Sequence, residues 1–109
     1  MTESDPPKLR LLLEGFDERG AYEAHAKGYF ADATVLLPSG ERFRVFFMEP
    51  ARAQHEIELA VKSGTDGCVI ENGLILVESV TRSSMEKAAD VAYRNGFFDC
   101  LRPVPRPET

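Results

Sequence analysis

The dipeptide Asn72-Gly73 constrains the fold of this chain more than any other local feature. It separates two short apolar runs, residues 68–71 and 74–78. Both turn residues tolerate positive φ, and a two-residue hairpin loop requires positive φ at both positions. We therefore predict a β-hairpin here. Its strands are apolar on both faces, so we expect them to lie in the centre of the sheet and to be covered.

A second hairpin is predicted upstream of this one. Residues alternate in character over 31–37 and again over 43–47. The segment Pro38-Ser39-Gly40 between them has the composition of a turn. The alternation changes phase near residues 28–31, which predicts a β-bulge or a strand break there.

Residues 8–16 fit two patterns, because their leucines and Phe16 have helical spacing as well as the alternation of a strand. Residues 17–20 begin with an acid and end with a glycine, as does a type I turn closed by a left-handed residue. Residues 22–26 then alternate like a strand with one exposed face. These neighbouring segments favour a hairpin in which residues 8–16 form the first strand. The alternative is that residues 8–16 form a helix.

Two helices are predicted in the second half of the chain. The first begins at Pro50 and ends at Gly64. Its buried stripe is expected to comprise Ala53, Ile57, Ala60 and Val61.

The second helix runs from about Ser83 to Arg94. Its N-terminal cap is either Ser83, in a capping box with Glu86, or Thr81, with Val80 and Met85 as a hydrophobic staple. A short last strand is predicted at residues 97–101. The inner stripe of this helix is expected to comprise Met85, Ala88, Ala89 and Ala92.

Together these elements predict an α+β fold. We expect a single, mainly antiparallel sheet of five or six strands with both helices packed on one face, in the order β-meander, α, β-hairpin, α, β. The length of 109 residues fits one domain. We assign residues 1–7 to a flexible N-terminal arm, residues 8–101 to the domain and residues 102–109 to a proline-rich tail.

The net charge of -5 and the pI of about 5.0 disfavour binding to nucleic acid and to anionic membranes, and they favour basic proteins as partners. The N-terminus has no basic start followed by an apolar core, so we expect a cytoplasmic protein. Cys68 and Cys100 lie in apolar stretches and are expected to be buried, reduced thiols.

The sequence contains no glycine-rich phosphate loop, no metal-ligand spacing and no nucleophile with an adjacent base. We therefore expect no cofactor, and a non-enzymatic role is favoured. The interpretation is a small acidic protein-binding domain, either an adaptor or an inhibitor of the immunity-protein type that binds a basic protein. The alternatives are a small-molecule-binding domain or small enzyme with a pocket between sheet and helices, and a homodimeric structural subunit.

Six residues are candidates for contact with a partner. Acidic residues outnumber basic ones in the middle third of the chain, and the apolar run Phe46-Phe47-Met48 cannot place all its side chains on one face of a strand. The candidates are Glu56, Glu58, Glu71, Glu78, Phe46 and Met48.

Overall fold

The computed structural model describes residues 9–64, 67–68 and 72–104. Within this part of the chain there are four strands, three α-helices and one short 3₁₀ helix. In chain order they are β1 (Arg10–Leu13), α1 (Glu18–Lys27), β2 (Tyr29–Leu36), β3 (Arg42–Met48), α2 (Pro50–Lys62), β4 (Leu74–Leu76), α3 (Arg82–Arg94) and the 3₁₀ helix Phe97–Cys100.

The four described strands form one mixed sheet in the order β1-β2-β3-β4. β1, β2 and β3 pair antiparallel, whereas β4 is parallel to β3. The α+β class is confirmed, but the prediction of five or six mainly antiparallel strands with two helices is wrong. The long connection through α2 explains the parallel pair, since a parallel neighbour requires a crossover of a dozen or more residues.

The hairpin of β2 and β3 is confirmed. The two strands join through the predicted turn, in which the Leu37 N–H donates to the carbonyl of Glu41 at 2.9 Å. The pairing shifts register between Phe30 and Ala33, where the alternation of the sequence changes phase.

The predicted strand at residues 22–26 is helix α1 instead. Asp17 does not open a turn but caps this helix, because its Oδ1 accepts a hydrogen bond from the Gly20 N–H at 2.7 Å. Tyr22, Ala24 and Ala26 alternate with polar residues, but only Ala24 is buried, and Tyr22 is 76% exposed. Residues 10–13 form a strand, as the favoured alternative requires, but β1 pairs with β2.

Helix α3 follows the second of the two predicted capping schemes. The Ser84 N–H donates to Thr81 Oγ1 at 3.2 Å, and both Val80 and Met85 are buried. The predicted inner stripe packs into the main core, with Met85 and Ala89 fully buried. On the sheet, this core includes Val35, Phe43, Val45 and Phe47.

Helix α2 begins at Pro50 as predicted, but it lies against the opposite face of the sheet. The Arg52 guanidinium stacks 4.9 Å from the ring centroid of Tyr29, and Tyr29 in turn stacks on Phe46, whose side chain faces away from the main core. The placement of both helices on one face is therefore wrong. The predicted stripe is not buried either, and Val61 is 60% exposed.

The segment around Asn72-Gly73 also differs from its prediction. Gly73 has a φ of +84°, but no non-glycine residue of the described chain, Asn72 included, has positive φ. Of the predicted partner strand at residues 68–71, residues 69–71 lie outside the described residues, and Cys68 has no strand assignment. Rather than a covered central strand, β4 is the last strand of the described sheet, and its Leu76 is 57% exposed.

The predicted last strand is the 3₁₀ helix. Phe98 inserts into the core, with its ring centroid 5.2 Å from that of Phe43. An adjacent pair of phenylalanines is compatible with a buried strand or a short helical turn, so the local sequence did not distinguish the two.

Candidate protein-binding surface

The face of the sheet that points away from the main core carries a group of exposed arginines. We call it the outer face. Strand β3 buries Phe43 and Val45 in the core, so the alternation of a strand directs Arg42 and Arg44 to the outer face, and both are exposed.

Strand β1 adds a third arginine by the same alternation. Leu11 and Leu13 pack against the main core, and Arg10 and Leu12 are exposed on the other side. The register aligns these residues in two rows across the sheet. One row is Arg10, Leu36 and Arg42, and the next is Leu12, Thr34 and Arg44. These six residues are hereafter the arginine surface.

Helix α2 contacts the other end of the outer face, where Arg52 lies over the ring of Tyr29. At this end, the rings of Tyr29 and Phe46 are stacked with centroids 5.5 Å apart and an interplanar angle of 6°. At the open end the arginines are exposed and Leu12 is 37% exposed. The outer face thus has a packed half and a half that faces solvent.

The arginines of this surface have no acidic partner in the described part of the chain. The ion pairs there all join residues one helical turn apart within α1, α2 or α3. No described hydrogen bond or aromatic contact involves the side chain of Arg10, Arg42 or Arg44. Arg10, Arg42 and Arg44 therefore form no ion pair within the described residues of a chain whose overall net charge is -5.

A fourth arginine lies close to the same corner of the sheet. The Val104 N–H donates to the carbonyl of Arg42 at 2.7 Å. This hydrogen bond brings the backbone of residues 102–104 alongside the start of β3, with Arg102 exposed.

The acidic residues predicted to contact a partner are not part of the arginine surface. Glu56 is half-buried and forms an ion pair with Arg52, and Glu58 accepts a hydrogen bond from Gln54 at 3.3 Å. Glu78 is exposed between β4 and α3. Glu71 lies outside the described residues. The carboxylate of Glu56 is thus already neutralised within the helix.

The two apolar candidates lie at the packed end of the outer face. Phe46 is half-buried in its stack with Tyr29, and Met48 is 3% exposed. The run Phe46-Phe47-Met48 thus has buried or half-buried side chains on both faces of β3.

An open groove of about 560 Å³ lies between β4 and α3. Its lining is mainly apolar, including Ile75, Val91 and Phe97, and its polar side chains are Lys87 and Asn95. A site for a specific small molecule needs several convergent polar groups. The groove lacks such convergence, so it offers little support for the small-molecule alternative.

Cys68 and Cys100 are both free thiols, but the prediction that they are buried is wrong, because both are exposed. In the described residues, no group of three or more histidine, cysteine, aspartate or glutamate side chains is arranged to hold a metal ion. The helices of the same residues are too short and too polar for any of them to cross a membrane.

Comparisons with protein families, with curated proteins and with solved structures find no match to this chain. The arginine surface is therefore interpreted from its own geometry. The alternation of β3 alone places Arg42 and Arg44 on one face of a strand. Arg10 joins the row of Arg42 only through the pairing of β1 with β2, whereas the sequence predicts residues 22–26 as the partner of residues 8–16.

Proposed function

We propose that this chain is a non-enzymatic protein-binding domain that contacts its partner through the arginine surface. The observation that supports this proposal is the row Arg10-Leu36-Arg42 beside Leu12-Thr34-Arg44. It combines exposed arginines that form no described ion pair with partly exposed leucine side chains. Arginine is enriched at protein–protein interfaces, and a partner would bury the apolar side chains between the charges.

Arginine suits this role for a chemical reason. Its planar guanidinium donates several hydrogen bonds in a fixed geometry and is more weakly hydrated than the lysine ammonium. Displacing its water therefore costs less on binding. The arginine surface is preferred over the acidic candidates because the charge of Glu56 is balanced by Arg52, whereas the charges of Arg42 and Arg44 have no described counterpart.

The test is affinity capture from a lysate of the native host with quantitative mass spectrometry. The wild-type chain is compared with the double variant Arg42→Ala/Arg44→Ala and with the control double variant Arg19→Ala/Arg94→Ala. The control removes the same charge from exposed sites on helices α1 and α3. Circular dichroism and urea unfolding confirm that both variants are folded.

We expect one or more proteins to be retained by the wild-type chain and by the control but lost with the Arg42/Arg44 variant. The captured protein is then purified and titrated into the ¹⁵N-labelled chain. The largest amide shifts should fall on β1, β2 and β3. Retention of the same proteins by all three chains, or shifts confined to other elements, would contradict the proposal.

A further inference from the structure

We infer that the segment bound by the arginine surface is an acidic protein segment in which apolar side chains are interleaved with the carboxylates. This inference rests on the proposed function and specifies the chemistry of its partner.

The spacing of the arginines supports an acidic partner segment. Arg42 and Arg44 are two residues apart on one strand, which separates their Cα atoms by about 7 Å. Arg10 lies opposite Leu36, which lies opposite Arg42, so two strand spacings, about 10 Å, separate the two arginines across the sheet. These distances are comparable to the screening length of about 8–10 Å at physiological salt, so the fields of the three charges reinforce one another.

The same spacing limits what can neutralise the surface. Each guanidinium can bind a carboxylate through two parallel hydrogen bonds. One such bidentate pair engages both oxygens of a carboxylate, so each guanidinium bound in this way needs its own carboxylate. A ligand that satisfies all three must therefore carry several anionic groups at intervals, as an acidic peptide segment does.

The leucines specify the apolar part of the partner. Leu36 lies between Arg10 and Arg42 in one row, and Leu12 lies at the end of the next row, opposite Thr34. Leu12 is 37% exposed and Leu36 is also accessible in part. A uniformly charged ligand would leave these side chains without apolar contact. A segment that alternates acidic and apolar residues would match both components.

A single-stranded nucleic acid is also a repeating anion, but the aromatic side chains of the outer face are not available for base stacking. Nonspecific binding of single strands relies on aromatic rings with free faces. Tyr29 and Phe46 stack on each other, and Arg52 covers the second face of Tyr29. The six residues of the arginine surface are arginine, leucine and threonine and include no aromatic residue.

The inference is tested with labelled probes and the full chain. Fluorescence anisotropy measures binding of a twelve-residue peptide of alternating glutamate and leucine. The comparison probes are the same peptide with glutamine or lysine in place of glutamate, and a fifteen-nucleotide oligothymidylate. The proteins are wild type, Arg42→Gln/Arg44→Gln and the matched control Arg19→Gln/Arg94→Gln.

We expect the glutamate peptide to bind wild type and control equally, and the Arg42/Arg44 variant at least tenfold more weakly. The glutamine peptide should bind wild type at least tenfold more weakly than the glutamate peptide. Raising the salt from 0.05 M to 0.5 M should weaken binding of the glutamate peptide, because exposed charge pairs are screened. The lysine peptide and the oligonucleotide should bind wild type more weakly than the glutamine peptide does.

Tighter binding of the oligonucleotide than of the glutamate peptide would overturn the inference in favour of a nucleic-acid surface. Equal binding of the glutamate and lysine peptides, or no effect of the Arg42/Arg44 substitutions, would also overturn it. The capture experiment separates the two proposals. A captured partner that requires Arg42 and Arg44 but binds through a segment without carboxylates would leave the proposed function intact and refute the acidic segment.

Discussion

Replacing Gly73 with alanine tests the local geometry that joins β4 to the sheet. Gly73 has a φ of +84°, and its carbonyl accepts a hydrogen bond from the Phe46 N–H at 2.9 Å, at the start of the parallel pairing. A Cβ atom at this position would lie 2.5 Å from the carbonyl oxygen of Arg44 and 3.3 Å from the Cα of Val45. Both neighbours are backbone atoms of β3, which cannot move aside as a flexible side chain can.

Two costs and one gain determine the expected magnitude. An alanine in the left-handed region loses about 1–2 kcal/mol. Displacing the adjoining backbone adds about 1–3 kcal/mol, as for other overpacked sites. The reduced entropy of the unfolded chain offsets about 0.4–1 kcal/mol of this loss. We therefore expect Gly73→Ala to lower the free energy of unfolding by about 2–4 kcal/mol.

Gly15→Ala is the matched control. Gly15 has a similar φ of +74°, but a Cβ atom there would meet nothing within 4 Å. Gly15→Ala should lower the free energy of unfolding by about 0.5–1.5 kcal/mol. Only the cost of an alanine in the left-handed region and the reduced entropy of the unfolded chain apply at this position. Urea unfolding followed by circular dichroism measures both variants. Equal losses in the two variants would show that Gly73 does not approach β3 as closely as described, and the reasoning on β4 would be refuted.

Three further predictions concern the core, a buried hydrogen bond and the thiols. Met85→Ala should lower the free energy of unfolding by about 2–5 kcal/mol in urea unfolding, because Met85 is 0% exposed and its loss leaves a cavity; a loss under about 1 kcal/mol would contradict its place in the core. Glu49→Ala should lower the free energy of unfolding by about 1–3 kcal/mol, because Glu49 Oε2 accepts a hydrogen bond at 2.8 Å from the N–H of buried Val80. Glu49→Gln keeps an acceptor, so it should lower the free energy of unfolding by less. Cys68 and Cys100 should both react rapidly with a thiol-reactive dye in the native protein, because both are exposed; labelling only after unfolding would restore the buried assignment.

Several elements could be derived from the sequence because their signals are local. The turn at Pro38-Ser39-Gly40 between two alternating segments specifies the hairpin of β2 and β3 with its bulge. Pro50 marks the first turn of α2. The cap at Thr81 and the staple of Val80 and Met85 begin α3. In each of these, the residues that determine the structure are within a few positions of one another, so the pattern and the physical cause coincide.

Other elements were decided by contacts between distant segments. The local sequence of residues 17–20 is compatible with a turn or with a helix cap. In the structure it caps helix α1, and Ala24 of that helix packs in the core. The apolar run at residues 74–76 suits a hairpin strand, but its pairing with β3 depends on where the crossover through α2 ends. Phe97 and Phe98 suit a strand or a 3₁₀ turn, and Phe98 packs on Phe43, more than fifty residues earlier.

The arginine surface shows the same division between local pattern and tertiary structure. The alternation of β3 in the sequence is sufficient to place Arg42 and Arg44 on one face of a strand. Only the pairing of β1 with β2 brings Arg10 into the row of Arg42. Strand register and helix placement arise from the packing of side chains far apart in sequence, and a local pattern contains no information about which distant segment will be the neighbour.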